Sequence, residues 1–107
     1  MALDQYAYKV RAESVIDDFN YDIGKDFPNY IEIHYWRKHH NLHRWMENLY
    51  KEKGGENIFN CCPLRLTLED LDNLEKYDDI DENDLKFIKN ARKVLNEGFA
   101  LYYDSWW

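Results

Sequence analysis

Apolar positions along the chain change their spacing several times, and each change marks an element. From Gln5 to Val10 the pattern alternates, with Tyr6, Tyr8 and Val10 on one side and Ala7 and Lys9 on the other, which predicts a strand. Residues 17–29 mix Asp, Asn, Gly and Pro and read as an irregular connection, pinned to the core by Phe19, Tyr21 and Phe27. From Tyr30 to Lys53, Ile31, Tyr35, Leu42, Trp45, Met46 and Leu49 recur at helical spacings and predict one long helix. Asn29 with Glu32 would form its capping box, and Gly54-Gly55 would stop it after Lys51 and Lys53.

Beyond the glycines, Ile58–Leu66 should contain a short strand that Pro63 confines to an edge or a bulge. Thr67, with Asp70 three positions on, opens a second helix whose apolar side is Leu68, Leu71 and Leu74. An acidic connection from Tyr77 follows. Asp81 then caps a third helix, with Leu85, Ile88, Ala91 and Leu95 facing the core. Gly98 ends it, and Phe99–Tyr103 reads as a last strand. The expected fold is α+β in the order β-α-β-α-α-β. It is a single domain over 1–107, with a small, mostly antiparallel sheet and about three helices on one face.

Composition narrows the function classes. A chain of 107 residues, 45% hydrophobic, is large enough for one ordinary core. The aromatic share of 17% suits both a core and an adhesive surface. A net charge of -7 and a pI near 5.0 disfavour direct binding to nucleic acid and favour a basic partner; nucleic-acid mimicry would need a stronger field. Adjacent Cys61 and Cys62 are awkward to bridge, so reduced thiols in a cytosolic protein are expected. The opening Met-Ala-Leu-Asp-Gln has no charged n-region followed by an apolar run, and no stretch approaches the roughly 20 apolar residues of a membrane span.

Candidate chemistry gathers between His34 and Trp45, which holds all four histidines, two tryptophans and three fixed positive charges. On a helix, Trp36, His40 and His43 would share a stripe, with Arg37 and Arg44 on its flank. Arg and His donors beside Trp faces suit an anionic aromatic ligand such as a nucleotide; the alternative is core tryptophans with solvated charges. His39 and His43, four apart, would be weak metal candidates with Cys61 or Cys62 as thiolate donor, but no Cys-x-x-Cys or His-Glu-x-x-His pattern exists, and no metal or cofactor is expected. Phosphate loops, nucleophile elbows and kinase signatures are missing. A cysteine paired with His43 is the remaining enzymatic option, and structural cysteine is the commoner use. The carboxylates between Glu69 and Asp84 read as a solvated acidic face able to dock a basic partner. Tyr102, Trp106 and Trp107 would expose an apolar patch unless they fold back as a lid or serve an interface.

In these residues the chain resembles an uncharacterised family of small bacteriophage proteins. The similarity runs through Leu3–Tyr8, Ile33–Tyr50 around Tyr35-Trp36-Arg37-Lys38 and Leu42-His43-Arg44-Trp45, Phe59–Cys61, Leu66–Leu74, Asp84–Ala91 and the closing Tyr102–Trp107 with its Asp-Ser-Trp-Trp tail. Between Leu74 and Asp84, where many relatives have a longer stretch with a Gly-Phe-Phe-Phe-Gly-like turn, this chain has a short acidic loop, so a function housed in that turn does not transfer. Some relatives carry the label phosphoglycerate kinase, which a domain this small without a phosphate-binding motif does not support. The resemblance implies a phage accessory protein in the host cytoplasm. Two expectations follow. One is a non-enzymatic inhibitor or adaptor of a host or anti-phage-defence macromolecule. The other is a binder sequestering a nucleotide-type signal through Trp36, Arg37 and His43.

Overall fold

The structure, a computed structural model, describes residues 3–24 and 29–107. Along the chain run β1 (Asp4–Val10), a short 3-10 turn, β2 (Val15–Asp17), β3 (Asn20–Tyr21), β4 (Tyr30–Arg37), α1 (His40–Glu52), β5 (Leu64–Leu66), α2 (Leu68–Glu75), α3 (Glu82–Asn96) and β6 (Ala100–Trp106). Four strands form an antiparallel sheet in the order β4-β1-β6-β5, and β2 and β3 form a separate hairpin. This is an α+β fold.

Alternation on the strands sorts two cores. On the helix side, Ala7, Trp36, Leu64, Leu66, Leu101 and Tyr103 meet Leu42, Met46 and Tyr50 of α1, Leu71 and Leu74 of α2, and Phe87, Ile88 and Ala91 of α3. On the outer side, Val10, Ala100 and Tyr102 pack with Tyr21 of the hairpin. The Tyr102 hydroxyl donates to the Asp17 carbonyl at 2.6 Å, which ties the hairpin to the sheet. The connection expected to be irregular is therefore partly a hairpin. Phe19 does pin it, edge-on to Tyr50, and Tyr21 is buried; Phe27 lies outside the described residues.

The expected helix over 30–53 is half strand. Residues 30–37 pair along β1, and the helix begins only at His40. Ile31 and Tyr35, four apart, satisfy a helical and an alternating pattern equally, and this stretch is rich in β-branched and aromatic residues. A β1 ladder along its whole length decides between them. Ile31 and Tyr35 are accordingly exposed instead of core, and His39, not Asn29, caps the helix. Lys38, at φ 58, makes the corner between strand and helix. In the β1–β4 register Ala7 faces His34 while Tyr8 faces Glu32, so Ile33 is the extra residue of a bulge. A bulge in an edge strand interrupts the straight ladder that a second sheet would need.

Other boundaries shift less. Gly54 (φ 101) and Gly98 (φ 95) terminate α1 and α3 in the left-handed region that favours glycine. The short strand expected within Ile58–Leu66 is Leu64–Leu66, on the sheet edge directly after Pro63, and the last strand runs on to Trp106. Leu68 and Leu85, in the first turns of α2 and α3, are exposed instead of core.

Candidate functional site

Two surfaces hold the chemistry-bearing side chains, one on each side of the sheet. On the helix side, Trp36, Gln5 and Ser105 form a row across β4, β1 and β6, beside the row His34, Ala7 and Tyr103. The small Ala7 leaves room for the Trp36 and Tyr103 rings, whose centroids are 6.2 Å apart.

Asp84 is the centre of this side. As third residue of α3 it forms a capping box with Asp81, yet it is fully buried. Its Oδ1 accepts the Trp36 indole N–H at 2.9 Å. Its Oδ2 accepts from His39 Nε2 at 2.7 Å and from the Asp81 backbone N–H at 3.1 Å. His39 Nδ1 in turn accepts the Leu42 N–H at the start of α1, so the imidazole proton belongs on Nε2 and both ring nitrogens are occupied. Gln5 holds the His39 backbone from both sides, accepting its N–H at 2.8 Å and donating to its carbonyl at 3.0 Å. Gln5 also donates to the Tyr103 hydroxyl at 3.0 Å, which leaves that hydroxyl to donate to His43 Nδ1 at 2.9 Å. Burial pushes the Tyr103 pKa up and the His43 pKa down, so both stay neutral.

His39 and Asp84 are closed on each other, while His34 Nε2 and Ser105 Oγ in the adjoining rows are buried without a hydrogen-bond partner. A general base needs a free ring nitrogen facing a reactive hydroxyl or thiol, and the His39 nitrogens are spent on Asp84 and the α1 cap. Cys61 Sγ lies against Asn60 Oδ1 at 3.7 Å, and desolvation followed by Asp104 raises its pKa, which disfavours a thiolate. His39, Asp81 and Asp84 place one ligating atom each within 4.8 Å of one another, the one such grouping among the described residues. His39 Nε2 is already bonded to Asp84 Oδ2, and the Asp81 carboxylate accepts the Asp84 backbone N–H at 2.9 Å. The weak metal candidates His39, His43 and Cys61 form no such grouping: His39 turns to Asp84 and His43 to Tyr103.

The other expected site residues disperse. Trp36, on a strand, is 4% exposed, and Arg37 next to it points to the opposite face of the sheet, in solvent. His43 is half-buried under Phe59, with ring centroids 5.2 Å apart. Trp36, Arg37 and His43 therefore share no cleft, and Arg37 and Arg44 share no flank. His40 and Arg44 are exposed on α1. Tyr102 is buried and spent on the hairpin. The final pair divides: Trp107 folds back, its indole N–H donating to the Phe59 carbonyl at 2.8 Å, while Trp106 stays 67% exposed on the outer face. Asp70 and Asp84 do not belong to the solvated acidic face expected of them. Both are buried, Asp70 paired with Lys53 at 2.6 Å.

Sequence reasoning overlooked the outer face of the sheet. Tyr6, Tyr8, Tyr30 and Tyr35 line it as one aromatic run: Tyr6 stacks on Tyr8 at 6.0 Å, Tyr35 tilts onto Tyr6 at 5.3 Å, and Tyr30 meets Tyr8 edge-on at 5.4 Å. Asp104, opposite Tyr6 in the register, and Asp4, Glu32 and Trp106 complete it. Alternation at Tyr6 and Tyr8, and again at Tyr102, Asp104 and Trp106, is the signal in the sequence. No helix covers this end of the face among the described residues, and the hairpin covers the other end.

No protein-family model, curated protein or solved structure matches the chain.

Asp84→Ala would strand the Trp36 indole in the core and leave the part-buried His39 and Asp81 donors without their acceptor, at roughly 1–3 kcal/mol for the first and less for the other two. Urea unfolding should therefore show a loss of about 3 kcal/mol or more; a loss below about 1 kcal/mol would mean the cluster is not needed for the fold. The histidines also set a pH dependence. Burial lowers the pKa of His43, opposed by Glu47 and assisted by His40, and lowers that of His34, opposed by Asn83, Asp84 and Asp81. The unfolded chain then takes up protons first as pH falls through 6.5, and their contribution to stability, intact above that value, declines toward the folded pKa. The melting temperature should fall from about pH 7 to about pH 5, less steeply in His43→Gln; equal slopes would contradict a buried neutral His43.

Proposed function

We propose that the chain is a small, non-enzymatic bacteriophage accessory protein that acts in the host cytoplasm by binding a host or anti-phage-defence macromolecule. One observation carries this reading: Asp84, His39, Gln5 and Tyr103, the polar side chains that look most like catalytic machinery, bond to one another and to Trp36 and hold the helices to the sheet. Among the described residues, an open, aromatic and acidic sheet face stands ready to meet another molecule. Such a face, rich in Tyr with an exposed Trp, has the composition of protein interfaces. The phage setting is taken from the resemblance of the residue pattern to small phage proteins. No helix among the described residues is long and apolar enough to cross a membrane.

A nucleotide-binding reading rested on Trp36, Arg37 and His43 acting together. Their separation removes the pocket it needs, and no other observation favours it.

Affinity capture from the phage's host should recover a macromolecule that then co-elutes with the purified protein as one species in gel filtration. The control is the same protein carrying Asp84→Ala, unfolded or partly so. Capture of nothing above that control, across lysates with and without defence systems, would contradict the binding reading.

A further inference from the structure

The outer face is uneven in charge as well as in shape. Asp4, Glu32 and Asp104 surround Tyr6, and each carboxylate helps to raise its pKa after desolvation. Opposite them stands Arg37, at the rim beside Tyr35, while Arg65 lies at the far end against Tyr102, where the hairpin packs. Asp4 is already engaged, accepting the Tyr35 hydroxyl at 2.5 Å.

Asp104 is the unusual member. It is half-buried on β6 among the tyrosines, and one oxygen accepts the N–H of Ser105 at 2.8 Å. None of the ion pairs among the described residues includes it. Burial raises its pKa, so its charge is held at a cost to stability. The buried acids on the other side of the molecule each have partners: Asp70 has Lys53, and Asp84 has Trp36 and His39. An aromatic surface around an unpaired carboxylate is a complement to a cation, since the ring faces attract it and the carboxylate neutralises it. Guanidinium, planar and weakly hydrated, fits both contacts at once. A second copy of this chain would instead set carboxylates against carboxylates.

We propose that the Tyr6, Tyr8, Tyr35, Asp104 and Trp106 face, with Glu32 at its edge, docks an arginine-rich segment of a partner protein. Arginine side chains lie along the tyrosine rings, and one guanidinium reaches Asp104. The proposal rests on the binding function given above and specifies its surface and the chemistry of its partner.

The probe is a capped octa-arginine peptide, titrated by calorimetry and mapped by amide chemical shifts at low salt. Binding should displace signals of β1, β4 and β6 around Tyr6, Tyr35, Asp104 and Trp106. The double variant Asp104→Asn with Glu32→Gln should weaken it by about tenfold or more, while Asp78→Asn with Asp79→Asn, equal in lost charge but on the loop between α2 and α3, should leave it within about twofold. Asp104→Asn keeps the acceptor for Ser105 and should melt no lower than the parent, which separates lost docking from lost folding. Should the double variant fold poorly, the exposed Glu32→Gln alone carries the comparison. Equal weakening by both charge-matched pairs, or shifts centred away from this face, would overturn the proposal. A macromolecule captured equally by parent and double variant would overturn this surface and leave the binding function standing. Capture of none would remove that function as well.

Discussion

The molecule is organised around a carboxylate that is buried without a lysine or arginine. Asp84 is tolerated there because three donors converge on it: an indole from β4, an imidazole from the corner between β4 and α1, and a backbone N–H from the start of its own helix. A buried acid lacking such partners would cost several kcal/mol or take up a proton. Asp70 plays the matching role at the other end of α1. It closes the capping box of α2 and binds Lys53, the C-cap of α1, whose ammonium also donates to the Arg65 carbonyl at 2.6 Å. Each end of α1 is thus fastened to the third residue of another helix. Two local capping motifs double as tertiary ties, and they fix the helical layer against the sheet.

This arrangement also decides where function can reside. Gln5, His39, His43 and Tyr103 form a continuous hydrogen-bonded chain next to the Asp84 cluster, and their donors and acceptors are largely satisfied within the fold. Buried networks of this kind confer rigidity and a unique arrangement when they are complete. On the opposite side of the same strands, beyond the end that the hairpin covers, tyrosines and carboxylates alternate along β1 and β6 beside Trp106 and Arg37, and no helix among the described residues covers them. One set of strands therefore commits its inward residues to stability and leaves its outward residues toward solvent.

Much of this was legible in the sequence. Thr67 with Asp70, and Asp81 as the cap of the third helix, could be read because capping is local, and both are present. Alternation in Gln5–Val10 gave the strand and its two sides correctly. The segment Tyr30–Arg37 was misread because Ile31 and Tyr35, four positions apart, fit either period, and only pairing with β1 selects between them. That error carried the site with it: Trp36, His40 and His43 form a stripe only if Trp36 is helical. The roles of Asp70 and Asp84 were hidden for another reason. An acid in the first helical turn looks solvent-facing in sequence, and the Lys53, Trp36 and His39 that bury it lie 17 to 48 positions away. The tyrosine face needed three strands brought together from the two ends and the middle of the chain.

The most direct test of the structural claim is two-bond nitrogen–proton NMR of the histidine rings, combined with hydrogen exchange of the tryptophan indoles, near neutral pH. The fold described here predicts that His39 holds its proton on Nε2, with Nδ1 bare, and that the Trp36 indole N–H exchanges far more slowly than that of Trp106. A His39 proton on Nδ1, or a Trp36 indole exchanging as fast as the exposed one, would contradict the Asp84 cluster and the architecture built on it.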